Sequence, residues 1–501
     1  MLRRTPLAAA VLMAGALALT ACTAQQTPAP STSAVADPNA SVTVRMVAEP
    51  GNLDIRETAG AALDQLLIDN VYQGLVSRTP EQDIVPALAS DYEVSEDGLT
   101  YTFTLREGVV FHDGQPLTPQ DVVWSLTQVR DTPSYRDAER LAGMTSVTAD
   151  GQTITITLSQ PDSSFLWNLT GRAGLVLKEG DATDRKTAAN GTGPFTLSSW
   201  RQGDSVTLQR FDGYWGDPAG VSEVIFAYIP ETQAALNAAL AGEVDVVTGF
   251  DANLSEQIEA NGDFTVEVGA STDKGTLAMN AAAEPLADVR VRQAIRQAID
   301  HDAIVEAIGA GQTQYGPIPE LDPGHEDLSD VVPHDPEAAR ELLAEAGAED
   351  LELTLTIPSF YGTTVSQILV SNLHDVGVTL EIDPVEFSAW LNDVYVNRDY
   401  ELSFVLHTEA RDFENWADPS YYFGYDNAEV QELFAQSLAA TDEAEADELL
   451  AQAARLVSED HAADWLYNGA SVVAVGDSIA GMPTVNVNER LNLAEITKSE
   501  G

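Results

Sequence analysis

One cysteine, seven histidines and 79 aspartates and glutamates are the side chains of this 501-residue chain best suited to chemistry. Cys22 closes the run Leu19-Thr20-Ala21-Cys22, which has the pattern of a lipobox: a branched residue, two small ones, then the cysteine that becomes the lipidated N-terminus. With no second cysteine there is no internal disulfide and no thiolate zinc site. The histidines form no His-Glu-x-x-His pair on a helix, so each is expected to be exposed or hydrogen-bonded and none to hold a metal. A Gly-x-Ser-x-Gly elbow and a Gly-Lys-Ser/Thr phosphate loop are both missing. Gly191-Thr192-Gly193 begins like a dinucleotide loop, but Pro194 removes an amide donor and no third glycine follows in register. Carboxylate pairs occur everywhere in so acidic a chain and single out no acid–base couple. No cofactor, no metal and no catalysis are expected, which leaves binding.

The elements that must position a binding site follow a leader. Arg3 and Arg4 precede an apolar run, Leu7 to Leu19, that falls short of the ~20 residues needed to cross a bilayer. Residues 1–22 therefore read as a lipoprotein signal peptide, and 23–40, rich in Thr, Ser, Ala, Pro and Gln, as a flexible tether with a reach of about 25 Å. The formal net charge of −54 disfavours nucleic acid and anionic lipid as partners, so membrane attachment is expected through the lipid alone. Tyr101 to Leu105 and Thr153 to Leu158 alternate apolar and polar residues and predict half-buried strands. Thr118-Pro119 with Asp121, Asp335-Pro336 with Gly347, and Asp288 ahead of Val291, Ala294, Ile295 and Ala298 predict capped helices. The mixture is α/β, with large sheets covered by helices.

Several segments, in order, closely resemble the peptide/nickel class of ABC solute-binding proteins, often called family 5. They are Asn70-Val71-Tyr72-Gln73-Gly74-Leu75-Val76, Asp97-Gly98-Leu99-Thr100-Tyr101, Phe111-His112-Asp113-Gly114 and Leu117-Thr118-Pro119-Gln120-Asp121-Val122. Gly191-Thr192-Gly193-Pro194-Phe195, Phe211-Asp212-Gly213-Tyr214-Trp215-Gly216, Met279-Asn280 and Asp288-Val289-Arg290-Val291-Arg292 continue the likeness, which runs from Ser41 to about Val487. Tyr214 and Trp215 are expected as core anchors. The resemblance implies an α/β, two-lobed periplasmic-binding-protein-like fold (type II, Venus flytrap) with an extra subdomain inserted in lobe I. Lobe I would comprise 41–64, 191–272 and 478–497, the insert 65–190, and lobe II 273–477. A ligand that touches both lobes only when they close shifts the population to the closed form, which an importer's membrane subunits then read.

In peptide-binding members of the class, a lobe II acid three residues before the Asp of an Asp-Pro pair holds the ligand's α-ammonium. That position here is Asn415, ahead of Asp418-Pro419 in the loop Arg411-Asp412-Phe413-Glu414-Asn415-Trp416. An amide accepts one hydrogen bond but cannot neutralise an ammonium. Asp412 could do so, Arg411 could hold a ligand carboxylate bidentately, and Trp416 and Tyr421 supply aromatic surface. Alternatively, Arg411 and Asp412 satisfy each other or loop amides. The resemblance implies a monomeric receptor for di- or oligopeptides, handed to permease subunits with their ATPase behind them. Nickel chelates, opines, modified sugars and a peptide-pheromone sensor are alternatives within the class, and a secreted hydrolase is the remote one outside it.

Overall fold

The computed structural model describes residues 35–58, 60–487 and 490–499; the expected leader, Cys22 and most of the tether lie outside the described residues. A ten-stranded sheet runs through the molecule. Its strands are β1 (Ser41–Met46), β2 (Phe195–Arg201), β3 (Ser205–Arg210), β4 (Glu223–Tyr228), β5 (Val246–Val247), β6 (Phe264–Met279), β7 (Glu352–Pro358), β8 (Thr379–Val385), β9 (Leu402–His407) and β10 (Ala463–Gly476). Their order is β8-β7-β9-β6-β10-β5-β1-β4-β3-β2. All strands on one side of the β6–β10 pair come from 352–407, and all on the other from 41–46 and 195–247. The molecule is a mixed α/β, two-lobed fold of the expected class.

A separate four-stranded antiparallel sheet, in the order Ala89–Val94, Thr100–Leu105, Thr153–Leu158, Met144–Asp150, lies within the expected insert. The two alternating segments are strands, with every second residue of 153–158 buried. The helix Pro119–Asp131 starts in a capping box: the Thr118 hydroxyl accepts from the Asp121 amide, and the Asp121 carboxylate accepts from the Thr118 amide. Pro336–Ala346 is capped by Asp335 and stopped by Gly347 at φ 71°, and Val289–Ala298 by Asp288. Gly191 and Gly193 belong to packing and not to a phosphate loop, since a Cβ on either would meet the backbone oxygen of Val71 or Asn70 at 1.8 or 2.5 Å. Asn70 itself, fully buried, donates to Gln65 O and Leu491 O and accepts from the Leu493 amide, which ties the C-terminal segment to residues 65–70.

The chain is pinned earlier than the expected end of the tether. Ala36 bridges Ser499, the Asp37 amide donates to Lys498 O, and Arg210 donates to Pro38 O. Residues 36–40 look like linker in composition, but backbone pairing to the C-terminus needs no apolar side chains.

Arginines staple the interior. Arg45, 1% exposed, donates to the carbonyls of Ile229, Thr248 and Pro230. Arg296, fully buried, pairs with Asp464 at 3.1 Å, and the other Asp464 oxygen lies 3.0 Å from His301 Nε2. Burial acts to raise the Asp464 pKa, but His301 and Arg296 outweigh it and hold the carboxyl below its usual range. Its contribution to stability is therefore present above the unfolded-state pKa of about 3.9 and is lost as pH falls through the lower folded value. Asp464→Asn keeps the shape but strands the Arg296 charge. It should cost about 3–5 kcal/mol in urea unfolding near neutral pH, and the penalty should shrink below about pH 4.

Candidate functional site

The loop after β9 turns at Arg411, whose φ of 54° is left-handed for a non-glycine residue. That strain is held by the Arg411 amide, which donates to Asp322 Oδ2 at 2.7 Å. The short helix Glu414–Ala417 follows. Asp412 points inward, 7% exposed, onto Lys274 Nζ at 3.2 Å. Lys274, 3% exposed, also donates to Glu409 O at 2.6 Å and Thr272 O at 3.2 Å. It sits where β6 shifts register against β10, between Ala270 and Lys274 and again between Gly275 and Thr276. The irregularity frees Thr272 O, which the ammonium collects together with Glu409 O of the loop.

Asp322 completes this charged knot. Burial pushes its carboxyl up to about 6, against the opposing pull of Lys274 and the Arg411 amide. His407 Nε2 lies 2.9 Å from the Tyr422 hydroxyl, and burial lowers its pKa. His407, Glu409 and Asp412 bring one ligand atom each within 4.8 Å of one another. A dication there would compete with the Lys274 ammonium for Asp412, so charge repulsion works against that use.

Two cavities open beside the loop. The larger, about 800 Å³, is lined both by residues of the expected insert, Tyr101, Arg140 and Leu166 among them, and by residues of the later chain, Asp322, Phe434 and Leu450 among them. Arg411, Asp412, Phe413 and Glu414 line it, so the structure brings the expected cation and acid together on one wall. They do not satisfy each other: Asp412 takes Lys274, while the Arg411 guanidinium stacks 3.8 Å from the centre of the Trp167 ring. Asn415, Trp416 and Tyr421 line neither cavity. Trp416, 4% exposed, stacks on Phe423 at 4.0 Å and meets Trp465 edge-on at 5.1 Å, and Tyr421 packs edge-on against Phe423 at 5.0 Å. The Asn415 amide donates to Asp412 O. Sequence reasoning overlooked Lys274, Asp322 and Trp167 as neighbours of this loop. A lysine inside the otherwise apolar end of β6 was the one local signal; the other two offered none.

Removing Lys274 should leave Asp412 buried and unpaired. Lys274→Met is expected to lose about 3–5 kcal/mol in urea unfolding, and the double variant with Asp412→Asn to regain most of it. Additive losses would show that the two charges are not coupled.

Comparison with known proteins agrees with this fold. Residues 83–453 match the family described as bacterial extracellular solute-binding proteins, family 5 middle. The chain is 30% identical over 323 residues to the dipeptide-binding protein of Escherichia coli K12, covering 58% of this chain and 60% of that protein. It is 31% identical over 314 residues to heme-binding protein A of Haemophilus influenzae, covering 55% and 56%. These alignments span less than two thirds of either relative. Among solved structures, the Helicobacter pylori protein DppA, in complex with the peptide STSA, superposes with a TM-score of 0.78 at 23% identity, covering 92% of this chain and 98% of that one. NikA of Brucella suis, in complex with Fe(III)-EDTA, gives 0.82 at 20%, covering 92% and 100%. With the family match running over residues 83–453, which include cavity-lining residues and the Arg411–Asp412 loop, the chain belongs to the family 5 extracellular solute-binding proteins.

Proposed function

We propose that this protein is the lipid-anchored receptor of an ABC importer, and that it captures a peptide-like solute and presents it to the permease subunits. The observation that carries the reading is the cavity of about 800 Å³. It lies within the range of small-molecule sites, mixes apolar walls with charged groups that are mostly acidic, and has walls from segments far apart in sequence. A solute held there contacts both walls at once, so its binding energy favours the arrangement in which they are close. The division into lobe I, insert and lobe II at the boundaries given above belongs to this proposal, with Arg411 and Asp412 on the lobe II wall.

Among the described residues no helix is long and apolar enough to cross a membrane. Attachment is assigned to Cys22. With a formal charge of −54 the protein surface itself repels anionic lipid, so the lipid must supply the adhesion. The receptor acts as a monomer, without nucleic acid and without a cofactor.

Two measurements test this reading. Adding the solute, identified by mass spectrometry after denaturing the purified protein, should stabilise the fold by ~2.7 kcal/mol at a hundredfold excess over Kd and shrink the radius of gyration in small-angle scattering. Tight binding with an unchanged radius, starting from ligand-free protein, would contradict closure. Cys22→Ala should move the protein from the membrane fraction to the soluble one; retention on the membrane after a salt wash would remove the lipid anchor from the account.

A further inference from the structure

Charge divides the two cavities. The smaller, about 270 Å³, is lined by Arg78, Arg136, Arg140, Arg172, Arg411 and Arg490 and disfavours a cation. The larger, about 800 Å³, has nine aspartates and glutamates on its walls against two arginines, Arg140 and Arg411. Acids are common throughout this chain, so their number alone decides nothing. What matters is which of them already have a partner. Glu414 takes Arg140 at 2.8 Å, and Asp412 takes Lys274. The Arg411 guanidinium lies on the Trp167 ring at 3.8 Å. Among the described residues, the wall acids Asp322, Glu443 and Asp447 then have no cation within ion-pair distance.

Two of these three sit where an unpaired carboxylate is costly. Asp322 is 6% exposed. Its Oδ2 accepts from the Arg411 amide at 2.7 Å, but its Oδ1 is buried and has no hydrogen-bond partner. Unmade hydrogen bonds on buried charged groups are costly and rare, so this atom of a cavity-wall residue marks a donor that arrives from outside. Asp447 lies one turn beyond Glu443 on the helix Glu443–Glu459, and like charges at that spacing repel. Glu443 opens the helix, where the dipole favours an anion. That benefit fades past the first turn and does not reach Asp447. Burial, and after it Glu443, push the Asp447 carboxyl up. Burial does the same to Glu414 against the pull of Arg140. Both shifts are signs of a wall short of positive charge. Arg411 interacts with Asp322, Asp447 and Glu443, one fixed cation against three acids.

We propose that the larger cavity selects a solute with a positively charged side group, an ammonium or guanidinium, which Asp322 and Asp447 receive. The apolar part of the wall, Tyr101, Leu166, Phe434 and Leu450, suits the methylene stem of such a group, which packs on apolar surface while its head stays among polar partners. An ammonium brings three donors and a guanidinium five, enough for both carboxylates. The solute's body is that of the receptor reading above, on which this rests. The selected group is a side chain and not a chain end.

Titration calorimetry on the purified full-length protein tests this with Ala-Lys-Ala, Ala-norleucine-Ala, Ala-Glu-Ala and spermidine. The three peptides share both chain ends, and norleucine keeps the lysine stem without its charge. The lysyl peptide should bind roughly tenfold or more tightly than the norleucyl one, with the glutamyl one weakest. The preference should shrink as salt is added. Asp447→Asn and Asp322→Asn should each cut it to under about threefold, with urea unfolding run alongside. Asp322 is buried and its substitution puts the fold at risk, whereas Asp447→Asn removes a repulsion and should stay folded. Equal or weaker binding of the lysyl peptide, or a preference unchanged in every folded variant, overturns the cation site and leaves the receptor reading standing. Spermidine binding that the variants abolish, with no peptide bound, supports the cation site and replaces the peptide by a free polyamine. Silence from all four probes overturns both.

Discussion

The antiparallel pairing of β6 with β10 is the seam from which both halves of the molecule hang. Phe264 to Ala270 pairs with Ala470 to Gly476, and Lys274 to Ala278 with Ala463 to Asn468, a ladder longer than any other in the sheet. Its early half lies beside β5 and β1, its later half beside β9 and β7. One continuous ladder is stiff along its hydrogen bonds, so bending is concentrated where pairing lapses, between Ala270 and Lys274. There the backbone carbonyls left over are gathered by Asn468, whose amide donates to Ser271 O and Asp273 O, and by Lys274. The same irregularity that relieves the sheet puts an ammonium beneath the loop that borders the cavity.

Charge is the second constraint, and it acts through scarcity. With 25 lysines and arginines against 79 acids, most carboxylates have no cation to pair with and are cheapest left in water. Several of the cations go inward. Arg45, Arg292 and Arg296 each satisfy several carbonyls, and Arg292 alone reaches Leu286 O, His461 O and Asp460 O. A guanidinium tolerates burial better than an ammonium because five donors in a plane can be spread over acceptors that a chain end or bulge exposes. The arginine-rich cavity is the place where that supply exceeds the local acceptors.

These two constraints meet in the loop at Arg411. An acid in a binding wall can attract a ligand's ammonium only if it is not already neutralised. Asp412 is neutralised from within, by a lysine of the seam, while Asp322, Glu414, Glu443 and Asp447 keep the wall's remaining charge predominantly acidic. Family membership is silent on this point, since relatives sharing the fold are named for dipeptides and for heme alike. Ligand chemistry resides in the side chains that line the cavities.

Much of the scaffold was legible in the chain itself. The capping box at Thr118 and Asp121, the Asp335 cap with its Gly347 stop, and the alternation in 153–158 act between residues a few positions apart, so their geometry is written in local order. The ordered motifs from Asn70 to Arg292 carried the fold class. Trp416 and Tyr421 read as aromatic ligand surface because composition cannot tell a ring facing a cavity from one facing Phe423. Lys274 beneath Asp412, and Trp167 between Arg78 and Arg411, join residues from separate elements that only the crossing of the seam and the docking of the insert bring together. No spacing encodes such contacts, because partners in a through-space ion pair or a stacked ring are set by how sheets and loops pack, not by how many residues lie between them.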